Sequence, residues 1–211
     1  MKFLRLLYAD MCKSVLFRIL LCSLGTVIIL SGIVFPWMSM TTVSVAYLLD
    51  LSLRGSGSVS IVLCVLPVLA FSTQLADEWN SKVSRDWLMR AGVSRYVIAK
   101  IIVSAISGFF VIFLGLLLFI GIHSINMPLF QYNHTDHAYA RLMEEGKLFL
   151  GFACYVSNYS LSGLLTAVCG TFVSAFIPNR FVSVSAPLVL YFSLMRITER
   201  LLLPQFLIPE F

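Results

Sequence analysis

The sequence predicts an all-α integral membrane protein with five transmembrane helices in one domain, residues 1–211. Three observations predict this fold class. The composition is 59% hydrophobic and 12% charged, about half the charged fraction of a soluble domain. Five apolar segments are long enough to cross the roughly 30 Å hydrocarbon core of a bilayer. Basic residues gather at the ends of these segments, where the orientation signals of membrane proteins lie.

Residues 1–13 are predicted to form a short amphipathic helix in the membrane interface. One helical face is apolar while the charged residues lie largely off it, a pattern typical of interfacial helices. Asp10, Lys13 and Arg18 interrupt the apolar run and no small-residue cleavage site follows, so a cleaved signal peptide is not predicted. The alternative is a cytoplasmic continuation of the first span. The apolar face consists of Phe3, Leu4, Leu7, Tyr8 and Met11.

The five predicted spans are joined by more polar connections. Pro67 and Pro187 lie inside the second and fifth spans, where a lost backbone hydrogen bond favours a kink. Pairs of small residues four positions apart predict close approach between the third and fourth spans and their neighbours. These pairs are Ser104/Gly108, Gly163/Ala167 and Gly170/Ser174. The spans cover about residues 15–37, 58–76, 96–122, 148–177 and 181–197.

The distribution of Lys and Arg predicts a cytoplasmic N-terminus. The N-terminal region and the second and fourth connections hold ten of these residues, whereas the first and third connections hold three. We therefore expect a multi-pass protein of the cell membrane, with the bacterial plasma membrane as its location. The linker at residues 39–57 and the loop at residues 123–147 are then external, and five spans place the C-terminus outside.

Other classes of function are not indicated by the residue types. The net charge of +5 comes from basic residues that flank the spans, so no nucleic-acid partner is predicted. Five scattered cysteines predict no disulfide framework. His134-x-x-His137 with Asp136 is a weak metal motif, and a solvated external loop with a short helix at residues 139–145 is the preferred interpretation. No catalytic residue and no metal site is predicted.

The fourth predicted span carries polar groups well inside its apolar length. Asn158 and Tyr159 are the candidates for the lining of a substrate pathway. Lipid offers no hydrogen-bond partner at that depth, so both side chains should face other helices or a cavity. The alternative is structural hydrogen bonding between helices, and the residues alone leave both interpretations open.

The longest charged run, residues 77–100, lies between the second and third predicted spans. Within it, Trp79, Val83 and Trp87 fall at i, i+4 and i+8, which is one stripe of a helix. The segment is therefore predicted to be a short amphipathic cytoplasmic helix. Its tryptophans either dock in a groove on a partner protein or anchor the helix among the lipid headgroups. The pattern by itself favours neither interpretation.

A loose sequence pattern accompanies this order of elements. The second span leads into F-x(6)-E, from Phe71 to Glu78, and a basic stretch ends in Val93-Ser94-Arg95, with Lys100 opening the third span. This organisation resembles the permease subunit of ABC-2 type exporters, which have the type V ABC transporter fold. The resemblance implies that residues 77–95 hold a coupling helix that docks on an ATPase subunit. The docking residues it implies are Glu78, Trp79, Val83, Trp87, Arg90 and Arg95.

The chain departs from the family pattern at three points. Ser81 stands where the family often has Gly, and Ala91-Gly92 stands where it often has Pro. Gly92 suits the end of a helix, and Ser94 is predicted to cap the third span. The family also has a sixth span after an external hairpin. Residues 201–211 resemble the start of that hairpin. The chain is therefore either a five-span variant or one that a sixth span follows, and the second interpretation is preferred.

The function that the resemblance implies is transport driven by a separate ATPase chain. The sequence contains no GxxxxGK[ST] motif, so no cofactor is expected in this chain, and ATP and Mg²⁺ belong to the partner. The expected partners are the ABC ATPase subunit, a second permease subunit of the same or another kind, and the lipid bilayer. The cargo class is a peptide, a drug or a lipid-like molecule. The alternative is a non-transporting polytopic protein, such as an immunity or sensor subunit or an assembly scaffold.

Overall fold

The computed structural model describes residues 15–37, 44–54, 61–81, 92–130, 142–143 and 145–200, and the elements within these ranges are helices. A 3-10 turn, Phe35–Trp37, follows the first helix, and a π-helical turn, Ile61–Val65, leads directly into the third. The α-helices are α1 Leu16–Val34, α2 Val45–Arg54, α3 Leu66–Asn80, α4 Val93–His123, α5 Leu148–Phe176 and α6 Arg180–Arg200.

Four helical segments of the described chain are long and apolar enough to cross a membrane. They are α1, the continuous helix Ile61–Asn80, α4 and α5, with lengths of 19, 20, 31 and 29 residues. At 1.5 Å per residue, even the shortest spans about 28 Å, close to the thickness of the hydrocarbon core. The prediction of an all-α, multi-pass membrane protein agrees with these four helices. In α6, the apolar stretch Arg180–Leu194 is shorter.

The outer surface of the bundle is apolar, as lipid requires. Phe17 on α1 is 74% exposed, and Phe149 and Leu165 on α5 are 88% and 68% exposed. Large apolar side chains of this kind cover the outward faces of α1, α4, α5 and α6. A water-soluble protein rarely exposes contiguous apolar surface on this scale. The inner faces hold a separate buried core that includes Phe71, Ile112 and Phe119.

A close helix contact lies between α4 and α5, where the predicted small residues face one another. A Cβ atom placed on Gly108 would lie 2.6 Å from Gly163 O and 2.5 Å from Ala167 Cβ. A Cβ on Gly163 would in turn lie 2.6 Å from Ile112 Cγ1. The backbones therefore approach to a distance that only glycine allows. The expectation of close approach at Ser104/Gly108 and Gly163/Ala167 agrees with this geometry.

The third small pair also marks a close contact, between α5 and two other elements. A Cβ on Gly170 would lie 2.9 Å from Val68 Cγ1 and 3.1 Å from Ser183 O. Ser183 Oγ donates a hydrogen bond to Gly170 O at 3.0 Å. The small residue at position 170 thus lets both α3 and α6 pack against α5.

The first connection contains a helix that sequence reasoning missed. Residues 39–57 read as a weakly polar linker, but α2 occupies Val45–Arg54. Its start is held by backbone hydrogen bonds from Val45 N to Pro128 O at 3.0 Å and from Ala46 N to Leu129 O at 3.2 Å. The helix therefore packs beside the segment that follows α4. Its apolar residues Leu48, Leu49 and Leu53 join the buried core.

The helices around the charged run are longer than the sequence predicted. The second span was expected to end at residue 76 and the third to begin at residue 96. Instead α3 continues to Asn80 and α4 begins at Val93. The start of α4 is set by Gly92, whose φ of 81° is not helical. Ser94 consequently lies inside α4, and no side chain caps that helix, so the expected Ser94 cap is wrong. The predicted interfacial helix at residues 1–13 lies outside the described residues.

Pro67 lies inside the continuous helix Ile61–Asn80, as expected for the second span. It lies in the first turn of α3, directly after the π-helical turn Ile61–Val65. The helix changes there from π-helical to α-helical geometry, and both proline and a π-helical turn are recognised causes of a bend. Pro187 likewise lies inside α6.

Candidate functional site

One end of the bundle gathers most of its described charged side chains. At this end α1 and α4 begin, α3 and α5 end, and α6 begins after the turn Ile177–Asn179. We call it the basic end, defined by Arg18, Arg95, Lys100 and Arg180. It includes both flanks of the connection between α3 and α4.

The centre of the basic end is the carboxylate of Glu78 in the last turn of α3. Lys100 Nζ on α4 donates to Glu78 Oε1 at 2.7 Å, and Tyr96 Oη donates to Oε2 at 2.7 Å. Gln74 Nε2, one turn earlier on α3, donates to Oε1 at 3.2 Å. The carboxylate therefore accepts three hydrogen bonds from two helices. We call these four side chains the Glu78 cluster.

The ion pair of the Glu78 cluster is largely buried. The side chains of Lys100 and Glu78 are 4% and 14% exposed. The Lys100 ammonium also lies 5.3 Å from the centroid of the Phe71 ring and 5.5 Å from that of Tyr96. A buried charge is tolerated only when it is paired and hydrogen-bonded. Here the carboxylate and two ring faces together satisfy the ammonium.

The spacing of these residues explains why the chain folds this way locally. Gln74 and Glu78 are four residues apart on α3, and Tyr96 and Lys100 are four apart on α4, so each pair lies on one helical face. The two helices are antiparallel and meet on either side of a short connection. Phe71, the first residue of the F-x(6)-E pattern, supplies the fully buried floor beneath Lys100.

A second, weaker set of contacts joins α3 to the turn before α6. Arg180 Nε donates to Asp77 Oδ1, and Asn80 Nδ2 donates to Pro178 O at 3.2 Å. The Arg180 and Asp77 side chains are 68% and 31% exposed. Exposed ion pairs contribute about 0 to 1 kcal/mol, so this contact orients the helix ends without fastening them strongly.

The structure separates the docking residues that the sequence suggested. Glu78 is turned inward, Trp79 is 52% exposed in the last turn of α3, and Arg95 is exposed in the first turn of α4. The remaining three, Val83, Trp87 and Arg90, lie outside the described residues. The assignment of these side chains to docking stays a prediction.

The helical stripe through the tryptophans needs a correction. It required one helix to carry Trp79 together with Val83 and Trp87. The helix that carries Trp79 is α3, and it ends at Asn80 with a turn at Ser81. Trp79 is therefore part of a transmembrane helix, where an indole at the end of a span suits the membrane interface.

The suggested pathway residues on α5 occupy different surroundings. Asn158 is exposed on the outside of this single chain, whereas Tyr159 is half-buried and its ring lies 4.9 Å from that of Tyr155. Tyr155 Oη lies 3.5 Å from Oδ1 of Asp50, a buried residue of α2. Asp50 was not singled out from the sequence. The sequence feature that could have identified Asp50 is an acidic residue within an apolar, amphipathic stretch.

A cluster of hydroxyl groups in the bundle interior was also missed. Ser72 Oγ and Ser104 Oγ donate to Ala167 O at 2.8 and 2.9 Å. Thr171 Oγ1 lies 2.6 Å from Ser104 Oγ and 3.0 Å from Ser72 Oγ. These side chains come from α3, α4 and α5, so the cluster ties three helices together. Single hydroxyls are common in membrane helices, and only the fold reveals that these three meet.

The described residues hold no group of three or more His, Cys, Asp or Glu side chains arranged to bind a metal ion. The histidine motif His134-x-x-His137 with Asp136 lies outside them. His123 is buried, its Nδ1 lies 2.9 Å from Phe119 O, and its ring lies 4.2 Å from the Phe119 ring. That histidine is thus engaged within its own helix.

The Glu78 cluster is a joint between α3 and α4, in the sense that its hydrogen bonds hold the two helix ends together. It fixes the relative position of α3 and α4 and leaves exposed side chains on either side of their connection. Comparison with protein-family models, with curated proteins and with solved structures finds no match. The resemblance to ABC-2 type permeases therefore rests on the residues themselves.

Proposed function

We propose that this chain is the membrane-spanning permease subunit of an ATP-driven exporter. In this proposal a separate ATPase chain docks at the connection between α3 and α4, on the cytoplasmic side. The single observation that carries it is the buried Lys100–Glu78 pair, 2.7 Å between Nζ and Oε1, which joins the two flanks of that connection.

The joint explains how a docked partner would move the membrane helices. If the connection were flexible at both ends, displacement by a partner would change only the conformation of the connection. If its ends are held to α3 and α4, the same displacement moves both helices. Because the Glu78 cluster holds α3 and α4 together, the connection and the ends of both helices are expected to move as one unit. The close contact at Gly108 and Gly163 then carries the motion from α4 to α5.

Exposed side chains beside the joint supply a surface for the partner. Trp79 is 52% exposed and Arg95 is exposed, one on each flank of the connection. Trp and Arg dominate the energetics of protein interfaces. Burial of these two side chains by the ATPase would tie nucleotide-driven motion to the joint. With Val83, Trp87 and Arg90 they form the proposed docking face.

The rest of the proposal concerns assembly and topology. The sequence lacks a P-loop, so the energy of ATP enters through the partner chain. We include α6 as a fifth span, a cytoplasmic N-terminus, and a second permease subunit. Asn158 is exposed on the single chain at a depth where lipid offers no hydrogen bond, so a second subunit or a cargo is its proposed neighbour.

The test uses the full chain co-expressed with an ATPase whose reading frame adjoins its own. Trp79→Ala combined with Arg95→Ala should reduce ATPase co-purification at least about tenfold. This is a conservative threshold, because each hot-spot side chain by itself can contribute that much to binding. Trp87→Ala with Arg90→Ala should do the same. Lys147→Ala, an exposed basic residue at the opposite end, is the control and should leave co-purification unchanged.

Unchanged association in both double variants would contradict the docking role. A genome context without an ATPase gene, together with a stable chain that binds no ATPase, would favour the non-transporting alternative. That alternative is an immunity or sensor subunit or an assembly scaffold.

A further inference from the structure

A groove opens to the membrane side of the basic end, between α1, α3 and α6. It is open to the outside, has a volume of about 510 Å³, and is lined by Arg18, Leu69, Thr73, Asp77, Arg180, Phe181 and Val184. We call it the arginine groove. Neither the Glu78 cluster nor the proposed docking face uses its two arginines.

The lining of the arginine groove changes from polar to apolar along the helix axes. On α3, Asp77, Thr73 and Leu69 follow one another at intervals of four residues, so Leu69 lies about 12 Å deeper than Asp77. On α6, Arg180 at the mouth is followed by Val184 one turn deeper. Two helices thus present the same gradient to one cavity. A molecule with a charged head and an apolar tail matches it.

The charge of the groove favours an anion. Two guanidinium groups face one carboxylate, and the carboxylate of Asp77 is engaged by Arg180. Arg18 is half-buried and makes no hydrogen bond or ion pair within the part of the chain that the structure describes. A guanidinium carries five N–H donors and matches phosphate oxygens in geometry. Within the described residues, the Arg18 guanidinium is therefore available to bind an anion in the groove.

A second cavity continues the groove toward the aqueous side. It is an open depression of about 750 Å³ that shares Asp77, Arg180 and Phe181 with the groove. It adds Asn80, Asn179 and Glu78, whose carboxylate is already paired with Lys100. The amide groups add hydrogen-bonding positions to the outer part. The two spaces meet at Asp77, Arg180 and Phe181, so a headgroup in the outer one would be continuous with an acyl chain in the inner one.

We propose that the arginine groove binds an anionic phospholipid, with its phosphate on Arg18 and the start of an acyl chain along Leu69 and Val184. The polar mouth at Arg180 and Asn80 receives the rest of the headgroup. An inorganic phosphate ion would use the basic mouth and leave the apolar half empty. The proposal concerns a resident lipid and holds whether or not the chain is a permease.

The experiment is native mass spectrometry of the purified full chain in detergent, titrated with phosphatidylglycerol or with phosphatidylcholine. Arg18→Gln should weaken phosphatidylglycerol binding about fivefold, the effect of one basic side chain near an anionic lipid surface. Arg95→Gln is the matched control, because Arg95 is exposed at the same end but lies outside the groove. It should leave binding unchanged, and Arg18→Lys should restore most of it.

A second variant separates a lipid from a free phosphate ion. Leu69→Trp fills the apolar half of the groove, where Leu69 is 41% exposed, and should expel the lipid without changing Arg18. Added inorganic phosphate should not compete with phosphatidylglycerol. Equal loss in Arg18→Gln and Arg95→Gln, equal affinity for phosphatidylcholine, or displacement by inorganic phosphate would each overturn the proposal. If Arg18→Gln does not fold, the outcome with Leu69→Trp decides.

Discussion

Lys100 Nζ lies 2.7 Å from Glu78 Oε1, and this bond joins residues 22 positions apart on two antiparallel helices. The Lys100 side chain is 4% exposed, so the ammonium is removed from water almost entirely. Burial of both charges costs more than their attraction returns unless further hydrogen bonds satisfy them. Tyr96, Gln74 and the Phe71 ring provide those contacts. The pair is therefore strong only as part of its cluster.

Removal of one partner of this pair should destabilise the fold strongly. Lys100→Met leaves the Glu78 carboxylate buried without its cation, and we expect a loss of about 3 kcal/mol in the free energy of unfolding. Glu78→Gln should also destabilise the fold, because it leaves the Lys100 ammonium buried without its counter-charge, although the amide oxygen can still accept the Tyr96 hydroxyl. Unfolding by sodium dodecyl sulfate in mixed micelles measures both. The combined variant Glu78→Gln/Lys100→Met should recover part of the loss, and strictly additive losses would contradict coupling between the two side chains.

The exposed ion pair at the same end should matter far less. Asp77→Asn removes the carboxylate that Arg180 contacts, and we expect a change below about 1 kcal/mol because both groups remain solvated. The same unfolding titration tests it. Raised salt should reduce the small effect further, since exposed charges are screened. A loss as large as that of Lys100→Met would show that exposure is not the factor that separates the two pairs.

Gly108→Ala should disrupt the contact between α4 and α5. The added Cβ would lie 2.6 Å from Gly163 O, so the helices must separate, and overpacking of this kind costs about 1 to 3 kcal/mol. Gly121→Ala is the matched control in the same helix, where a Cβ would meet nothing within 4 Å. That variant should be neutral or slightly stabilising, as alanine favours helix over glycine. Equal effects of the two variants would contradict the close contact.

Thr171→Val should weaken the tie among α3, α4 and α5. It removes the hydroxyl that lies within hydrogen-bond distance of Ser72 and Ser104, and keeps the side-chain shape. Hydrogen bonds between membrane helices contribute about 0.6 kcal/mol on average and up to about 1.7, so a loss in that range is expected. Ser162→Ala is the control, because Ser162 Oγ bonds only within its own helix, to Tyr159 O. A larger loss for the control would contradict the role of the cluster.

The proposed orientation predicts opposite labelling of two exposed positions. Ser81→Cys lies beside the proposed docking face and Lys147→Cys lies at the other end, in a chain whose native cysteines are replaced. A membrane-impermeant maleimide should label Lys147→Cys in intact cells and Ser81→Cys only after permeabilisation. Permeabilised cells, in which both are labelled, serve as the control. The reverse pattern would place the connection between α3 and α4 outside and contradict docking of a cytoplasmic ATPase.

Hydrophobic length and small-residue spacing allowed much of the fold to be predicted. The apolar runs located α1, α4 and α5 to within a few residues, because about 20 apolar residues in a row have few alternatives to a transmembrane helix. The pairs at Ser104/Gly108 and Gly163/Ala167 marked the close contact. Helix ends were less predictable. Polar residues such as Asp77 and Glu78 read as a connection, yet they continue α3 because their partners on α4 and α6 satisfy them there.

The sequence by itself determined that this is a helical membrane protein whose longest charged run lies between two apolar segments. That follows from the cost of polar groups in hydrocarbon, which acts on each segment separately. Only the tertiary structure decided what the charged residues contact. The family resemblance assigned Glu78 to docking, and the fold shows that its carboxylate contacts Lys100. Arg18 and Arg180, 162 positions apart, line one groove. Such pairings depend on which helices are neighbours, and neighbouring helices are chosen by packing and not by local composition.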